Sequence, residues 1–188
     1  MKTALLLIDI QNDYFPGGHM ELAGIKESSS KARDLLTFFR ESQWPTFHIQ
    51  HIATREGATF FLPDTEGAEI HDSVKPLPTD IVIQKQHINS FRETQLLDEL
   101  KQAAVERVVI CGAMSHMCID AATRAAADLG FDCVVIHDAC ATRNVEFEGK
   151  IISAHEVHGS FMATLGMAYA DILSLSDFFA WIKGTAKT

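Results

Sequence analysis

Basic residues are scarce in this chain: Lys and Arg number 16 against 25 Asp and Glu, for a formal net charge of -9. No Lys/Arg cluster offers the positive surface that nucleic acid or an anionic membrane requires, so neither is expected as a partner, and a small-molecule substrate is. No apolar stretch approaches the roughly 20 residues of a membrane span. Residues 1–8 mimic the start of a signal peptide, but Asp9 cuts the apolar run short of an h-region. Cysteines number only 4, at positions 111, 118, 133 and 140. They lack the tight pair spacing of a zinc site, and they lie in apolar runs rather than in the loops of a disulfide framework, which points to a reducing, cytoplasmic setting. No Gly-x-Gly-x-x-Gly follows the first apolar run, and Pro16-Gly17-Gly18 falls too deep in a loop to serve, which counts against a nucleotide-binding domain. Internal repeats and low-complexity tracts are missing too.

What is present is a chain of 188 residues, 47% hydrophobic, enough for one α/β domain over residues 1–188. Apolar, β-branched runs at residues 4–8, 46–52, 80–84, 108–111, 133–137 and 169–173 read as strands. Between them come helical patterns: one around Ala32, Leu35, Leu36 and Phe39; one opened by a capping box at Ser90-Phe91-Arg92-Glu93; one at residues 118–129; and one at residues 149–165. Ser176 is expected to cap a last short helix carrying Phe178, Phe179 and Trp181, whose aromatic cluster suits docking on the sheet or a partner subunit. Residues 184–188 read as a frayed tail. Strict alternation of strand and helix implies a three-layer α/β/α, Rossmann-like architecture, a mostly parallel sheet with helices on both faces. Residues 53–79 show no period, and a loop that long in a compact domain suits a binding loop, a lid or a subunit contact.

In such sheets ligands bind beyond the carboxyl ends of the strands. Asp9 ends the first strand and Lys85 the third. Cys118 follows the Val108-Val109-Ile110-Cys111-Gly112 strand and turn, in the first turn of a helix that Ser115 can cap. The free N–H groups and dipole of that helix start would favour its thiolate. An acid, a cation and a thiol at one edge suit nucleophilic catalysis: Asp9 takes the thiol proton, Lys85 holds anionic charge, Cys118 attacks an electrophilic carbon, and helix-start N–H groups bind the oxyanion. The competing reading is an Asp9–Lys85 ion pair that ties strand ends together beside an inert core cysteine. Phe15, Phe91, Met114 and His116 flank these residues and could line an apolar substrate pocket or belong to the core. Asn89 could orient substrate or cap the Ser90 helix. His116, at a helix N-terminus, is expected neutral and hydrogen-bonding. His155 and His158, three apart on one helix, lack a third ligand.

Leu7-Ile8-Asp9-Ile10-Gln11-Asn12-Asp13, Lys85 with Asn89-Ser90-Phe91, and Gly112-Ala113-Met114-Ser115-His116-Met117-Cys118 together resemble the isochorismatase-like cysteine hydrolases over nearly the whole chain. The resemblance implies a six-stranded parallel sheet of order 3-2-1-4-5-6 and a catalytic triad of Asp9, Lys85 and Cys118. It also implies a non-proline cis peptide between Ala113 and Met114, with the N–H groups of Met114 and Cys118 as the oxyanion hole. The implied reaction is attack of Cys118 on an amide-type carbonyl, proton transfer to the leaving amine through Asp9, and hydrolysis of a thioester. Phe15, Asn89, Phe91 and His116 are then expected to bind substrate. Relatives that cleave a vinyl ether generally lack the cysteine, so its presence favours C–N hydrolysis of a small amide, ureide or lactam. A vinyl-ether hydrolase and a non-enzymatic binding or redox-sensing protein are the alternatives. Nicotinamidases of the family add a metal through an Asp-x-His pair. This chain offers His48, His51 and His71 without that pair, so no metal and no cofactor are expected. Relatives commonly form dimers or tetramers, so a homo-oligomer is expected.

Overall fold

A computed structural model of the chain describes residues 1–185. Strands β1 (Thr3–Ile8), β2 (Thr46–His51), β3 (Ile81–Lys85), β4 (Arg107–Ala113) and β5 (Asp132–Ala141) alternate with helices α1 (Ile25–Glu41), α2 (Leu96–Gln102) and α3 (Asp120–Asp128). A short hairpin follows, β6 (Val145–Phe147) and β7 (Lys150–Ile152), then α4 (Ala154–Ala168), β8 (Asp171–Leu173) and α5 (Leu175–Thr185). Six strands form one sheet of order β3-β2-β1-β4-β5-β8, every neighbouring pair parallel. This is the expected 3-2-1-4-5-6 order, with the sixth place taken by β8 because the hairpin is inserted before it.

The central strands are apolar along their whole length because both faces are covered. Leu5, Leu7, Val109 and Val134 pack under Leu35, Leu36 and Phe39 of α1 and Phe178 of α5. Leu6, Ile8, Val108, Ile110 and Val135 pack under Leu96 and Leu100 of α2, Ala122 and Ala126 of α3, and Met162 and Leu165 of α4. Such two-sided burial selects continuous apolar runs over alternation. Phe178 is buried in this core, so its cluster docks on the sheet, one of the two uses expected for it. No described helix is long and apolar enough to cross a membrane.

Besides the start of α3, three helix starts differ from the sequence reading. The helix expected from residue 149 starts at Ala154, because Glu148 and Gly149 both take positive φ (51° and 75°) and turn β6 back on β7. Ser153 then caps α4 in a capping box with Glu156. The Ser90–Glu93 box opens no helix: Glu93 has φ 56° and its carboxylate reaches His87 at 3.0 Å, so α2 begins only at Leu96. Ser174, not Ser176, caps α5, its hydroxyl accepting from the Asp177 N–H at 3.1 Å. Of the expected tail, Gly184 and Thr185 belong to α5 and residues 186–188 lie outside the described residues.

The long loop after β2 is packed against the domain. Its backbone bonds to the β1 exit, His71 N–H to Ile10 O at 2.9 Å and Asn12 N–H to Glu69 O at 3.0 Å, while Phe61, Ala68 and Val74 are buried. It forms a wall over the carboxyl edge of the sheet.

Candidate active site

Three strand ends meet beneath that wall. Asp9 leaves β1 with φ 52°, its N–H tied to Ile49 O at 3.0 Å. Lys85 ends β3, its ammonium 2.8 Å from Asp9 Oδ2 and donating to Ile88 O at 3.0 Å. Both side chains are wholly removed from water. β4 approaches β1 closely here: Gly112 has φ 122°, and a Cβ on it would stand 2.0 Å from Ile8 O, so only glycine fits.

Beyond Gly112 the Ala113–Met114 peptide is cis. The chain then enters a π-turn, Ser115–Ile119, in which the Ile119 N–H donates to Met114 O at 3.2 Å. One residue more than an α-turn is accommodated, a device frequent at functional sites. Ser115 is therefore no helix cap. Its hydroxyl donates to Ala141 O at 3.3 Å and meets His158 Nδ1 at 2.8 Å, fastening the turn to β5 and α4. Cys118, inside this turn, is buried over the Asp9–Lys85 pair.

A fourth side chain joins them. A ring nitrogen of His51, at the end of β2, a carboxylate oxygen of Asp9 and Cys118 Sγ all lie within 4.8 Å of one another. The sequence reading weighed His51 only as a metal ligand, although its place at a strand's carboxyl end was the signal that singled out Asp9 and Lys85.

Burial pushes the Cys118 thiol well up, and the adjacent Asp9 carboxylate adds to this against the opposing pull of Lys85. The resting nucleophile is thus a neutral thiol, contrary to the thiolate expected from a helix start. For Lys85, burial disfavours the ammonium, but Asp9 and Cys118 beside it prevail and raise its pKa. Burial lowers the pKa of His51, with Lys85, His87 and Arg55 reinforcing and Asp9 opposing.

Above the thiol opens a cavity of about 530 Å³. Tyr14, Phe60, Met114, Met117 and Ala121 give it apolar walls, and His51, Asn89, Arg55 and Arg92 a polar side. Of the residues expected to bind substrate, Asn89 lines this cavity, its Oδ1 also accepting from the Phe91 N–H at 2.9 Å. Phe15, Phe91 and His116 lie outside it. The 3-10 turn Asn12–Tyr14 aims Tyr14 at the cavity and sends Phe15 onto the His71 ring, stacked at 3.5 Å. Phe91 packs on the α2–α4 face, stacked with Phe131. In the π-turn Met117 faces the cavity, whereas His116 Nδ1 meets Thr142 Oγ1 at 2.6 Å. Tyr14 and Phe60 lie outside the motifs and are brought here by loop packing, whereas Met117, within a motif but given no role, is brought here by the π-turn.

The three histidines weighed as metal ligands are not brought together. His48, on the opposite face of β2 from His51, lies 3.3 Å from Asp80, and His71 Nδ1 accepts from the Ser73 N–H. Asp9, His51 and Cys118 do converge, but the Lys85 ammonium already supplies the positive charge against Asp9, so this donor set does not fit a resident cation.

The Isochorismatase domain family model matches residues 3–164. The isochorismatase family protein YddQ of Bacillus subtilis (strain 168) is 48% identical over 178 residues, 95% of this chain and 99% of its own. A crystal structure described as an isochorismatase hydrolase, from Oleispira antarctica, superposes with a TM-score of 0.92 at 47% identity, covering 95% of this chain and 96% of that one. Streptothricin hydrolase of Streptomyces noursei is 33% identical over 142 residues, 76% of this chain and 55% of its own length.

Proposed function

The chain belongs to the isochorismatase family of hydrolases, and from that premise we propose that it cleaves the C–N bond of a small amide, ureide or lactam through a thioester on Cys118. One observation carries the reading: an acid–cation pair, wholly buried at 2.8 Å, lies directly under a cysteine that faces an open cavity. Asp9 takes the thiol proton as Sγ attacks the carbonyl carbon, so the thiolate exists only as it reacts. Lys85 holds the negative charge through that transfer. The N–H groups of Met114, just before the π-turn, and of Cys118, within it, receive the oxyanion. Asp9 then delivers its proton to the leaving nitrogen as the C–N bond breaks, and water hydrolyses the thioester. The likeness to streptothricin hydrolase supports hydrolytic chemistry on this scaffold. A cavity of about 530 Å³ with mostly apolar walls and a polar side suits a small, partly apolar substrate.

The test is ammonia or amine release from a panel of small amides, ureides and lactams by the native protein, Cys118→Ala and Lys85→Ala. Turnover lost in both variants is expected. Activity that survives Cys118→Ala would replace this reading with a cysteine-independent hydrolysis, such as that of a vinyl ether.

A further inference from the structure

The mechanism above leaves one polar group near the thiol unused, the hydroxyl of Tyr14. We infer that it sets the specificity of the site: its O–H binds an acceptor oxygen that the substrate carries close to the scissile carbonyl, so the molecule cleaved here has a second oxygen there. This deepens the C–N hydrolase reading and rests on it.

The ring is placed by its surroundings. The Tyr14 N–H closes the Asn12–Tyr14 turn on Gln11 O at 3.0 Å, and the Leu22 N–H donates to Tyr14 O at 3.0 Å. Neighbouring Asp13 accepts from the Phe61 N–H at 2.6 Å, which draws the loop after β2 onto the ring. Phe61 then stands 4.6 Å from Tyr14 and Phe60 6.0 Å, centroid to centroid. Tyr14 lines the cavity and is only 2% exposed. Among the described residues its hydroxyl meets no hydrogen-bond partner, yet the oxygen is not one of the side-chain atoms sealed from the surface. A buried phenol normally finds a partner, because leaving it without one costs stability that phenylalanine would keep. The open side of this oxygen is the cavity, so the missing partner belongs to a ligand.

The neighbouring charges decide what the hydroxyl offers. Burial holds its pKa well above the usual tyrosine value, and Cys118, Asp9 and Asp13 add to this. The phenol therefore keeps its proton and is a donor, not a base, so the ligand atom it serves is an acceptor. The rest of the polar side agrees. Arg92 and His87 share Glu93, whereas the Arg55 guanidinium has no ion-pair partner among the described residues. A substrate rich in acceptors meets donors here; one with only alkyl groups beside the carbonyl leaves the hydroxyl desolvated and unpaired.

Two matched pairs of amides test this: methoxyacetamide against butyramide, and acetoacetamide against isovaleramide. In each pair an acceptor oxygen replaces a methylene or methyl group. The native protein should prefer the oxygen-bearing member of at least one pair in kcat/KM by roughly 3- to 10-fold, the scale of one neutral hydrogen bond. Tyr14→Phe should erase that preference, leave the alkyl members near native, and melt no lower than the native protein. No preference in either pair, equal loss for both members in Tyr14→Phe, or a lower Tm for that variant would overturn the assignment. Calorimetric titration of Cys118→Ala and Cys118→Ala/Tyr14→Phe with the same four amides reads the preference as binding, without turnover, and its absence there would overturn the assignment equally. A binding preference lost with the hydroxyl, in a native protein that hydrolyses none of the four, would uphold the donor and count against the C–N hydrolase reading instead.

Discussion

Replacing Lys85 by methionine removes the cation 2.8 Å from Asp9 and leaves a carboxylate with 0% exposure without that partner. Breaking one side of a buried pair typically costs about 3–5 kcal/mol, whereas removing both charges costs far less, because desolvation of the pair offsets much of its attraction. For a chain of this size the urea slope is about 2–3 kcal/mol/M. Lys85→Met should therefore lower the unfolding midpoint by roughly 1–2 M, and the double variant Asp9→Asn/Lys85→Met should recover more than half of that loss. Far-UV circular dichroism against urea for the native protein, both single variants and the double variant closes the cycle. A double variant no more stable than Lys85→Met would refute the reasoning, since the loss would then come from the missing lysine stem and not from the stranded charge. Recovery would mean that most of the loss comes from the stranded charge and little from the attraction within the pair.

Other outcomes follow from single positions. Gly112→Ala places a Cβ 2.0 Å from Ile8 O at φ 122°. Displacing β1 from β4 should cost about 3 kcal/mol, or roughly 6–12 °C in Tm by calorimetry, and an unchanged Tm would contradict the close approach. His48 is buried, with its pKa lowered to about 4 chiefly by burial, Asp80 opposing and Arg40 reinforcing. The unfolded chain then binds the extra proton, so its stability contribution is intact above pH about 6.5 and falls towards pH 4 by up to about 3 kcal/mol. His48→Phe should lose less stability than the native protein between pH 7 and pH 5 in urea titrations; equal losses would refute the linkage. Arg55 and Arg92 line the cavity, and among the described residues no acidic side chain does. Arg55→Gln should therefore raise KM about 2- to 5-fold for carboxylate-bearing amides and leave neutral ones unchanged.

The sheet was legible because its signal is local and redundant. Residues 4–8 and 108–111 are apolar throughout, a pattern that only a strand covered on both faces requires; the first ends at Asp9, and the second runs on through Gly112 to Ala113. Those same ends place Asp9, Lys85 and Cys118 together once the strands are parallel. The cavity wall was not legible. Whether Tyr14 or Phe15 faces the thiol depends on one 3-10 turn, and whether His116 or Met117 does depends on a π-turn closing one residue later than an α-turn. Adjacent residues of similar character exchange places under such a shift, and no periodicity records it. His51 is an intermediate case: strand alternation puts it on the opposite face from His48, which would have split the supposed metal set from sequence alone.

The state of the Cys118 thiol decides how the site avoids side reactions. A helix dipole near a charged group is worth about 0.3–1 kcal/mol, less than a single pKa unit at 1.36 kcal/mol. Burial and the Asp9 carboxylate outweigh it, and the thiol is held neutral against the pull of Lys85. Deprotonation is thereby tied to Asp9 and to an electrophile already in the cavity, so small reagents should find a slow cysteine. Native Cys118 should react with iodoacetamide at pH 7.5 more slowly than free cysteine does. Asp9→Asn removes one cause of the raised pKa and leaves Lys85 to favour the thiolate, so alkylation should become faster while amide turnover is lost. Peptide mapping of the alkylated cysteine against time measures both rates. Slower alkylation in Asp9→Asn would mean that Asp9 activates the resting thiol directly, and the account of a nucleophile made only on demand would fail.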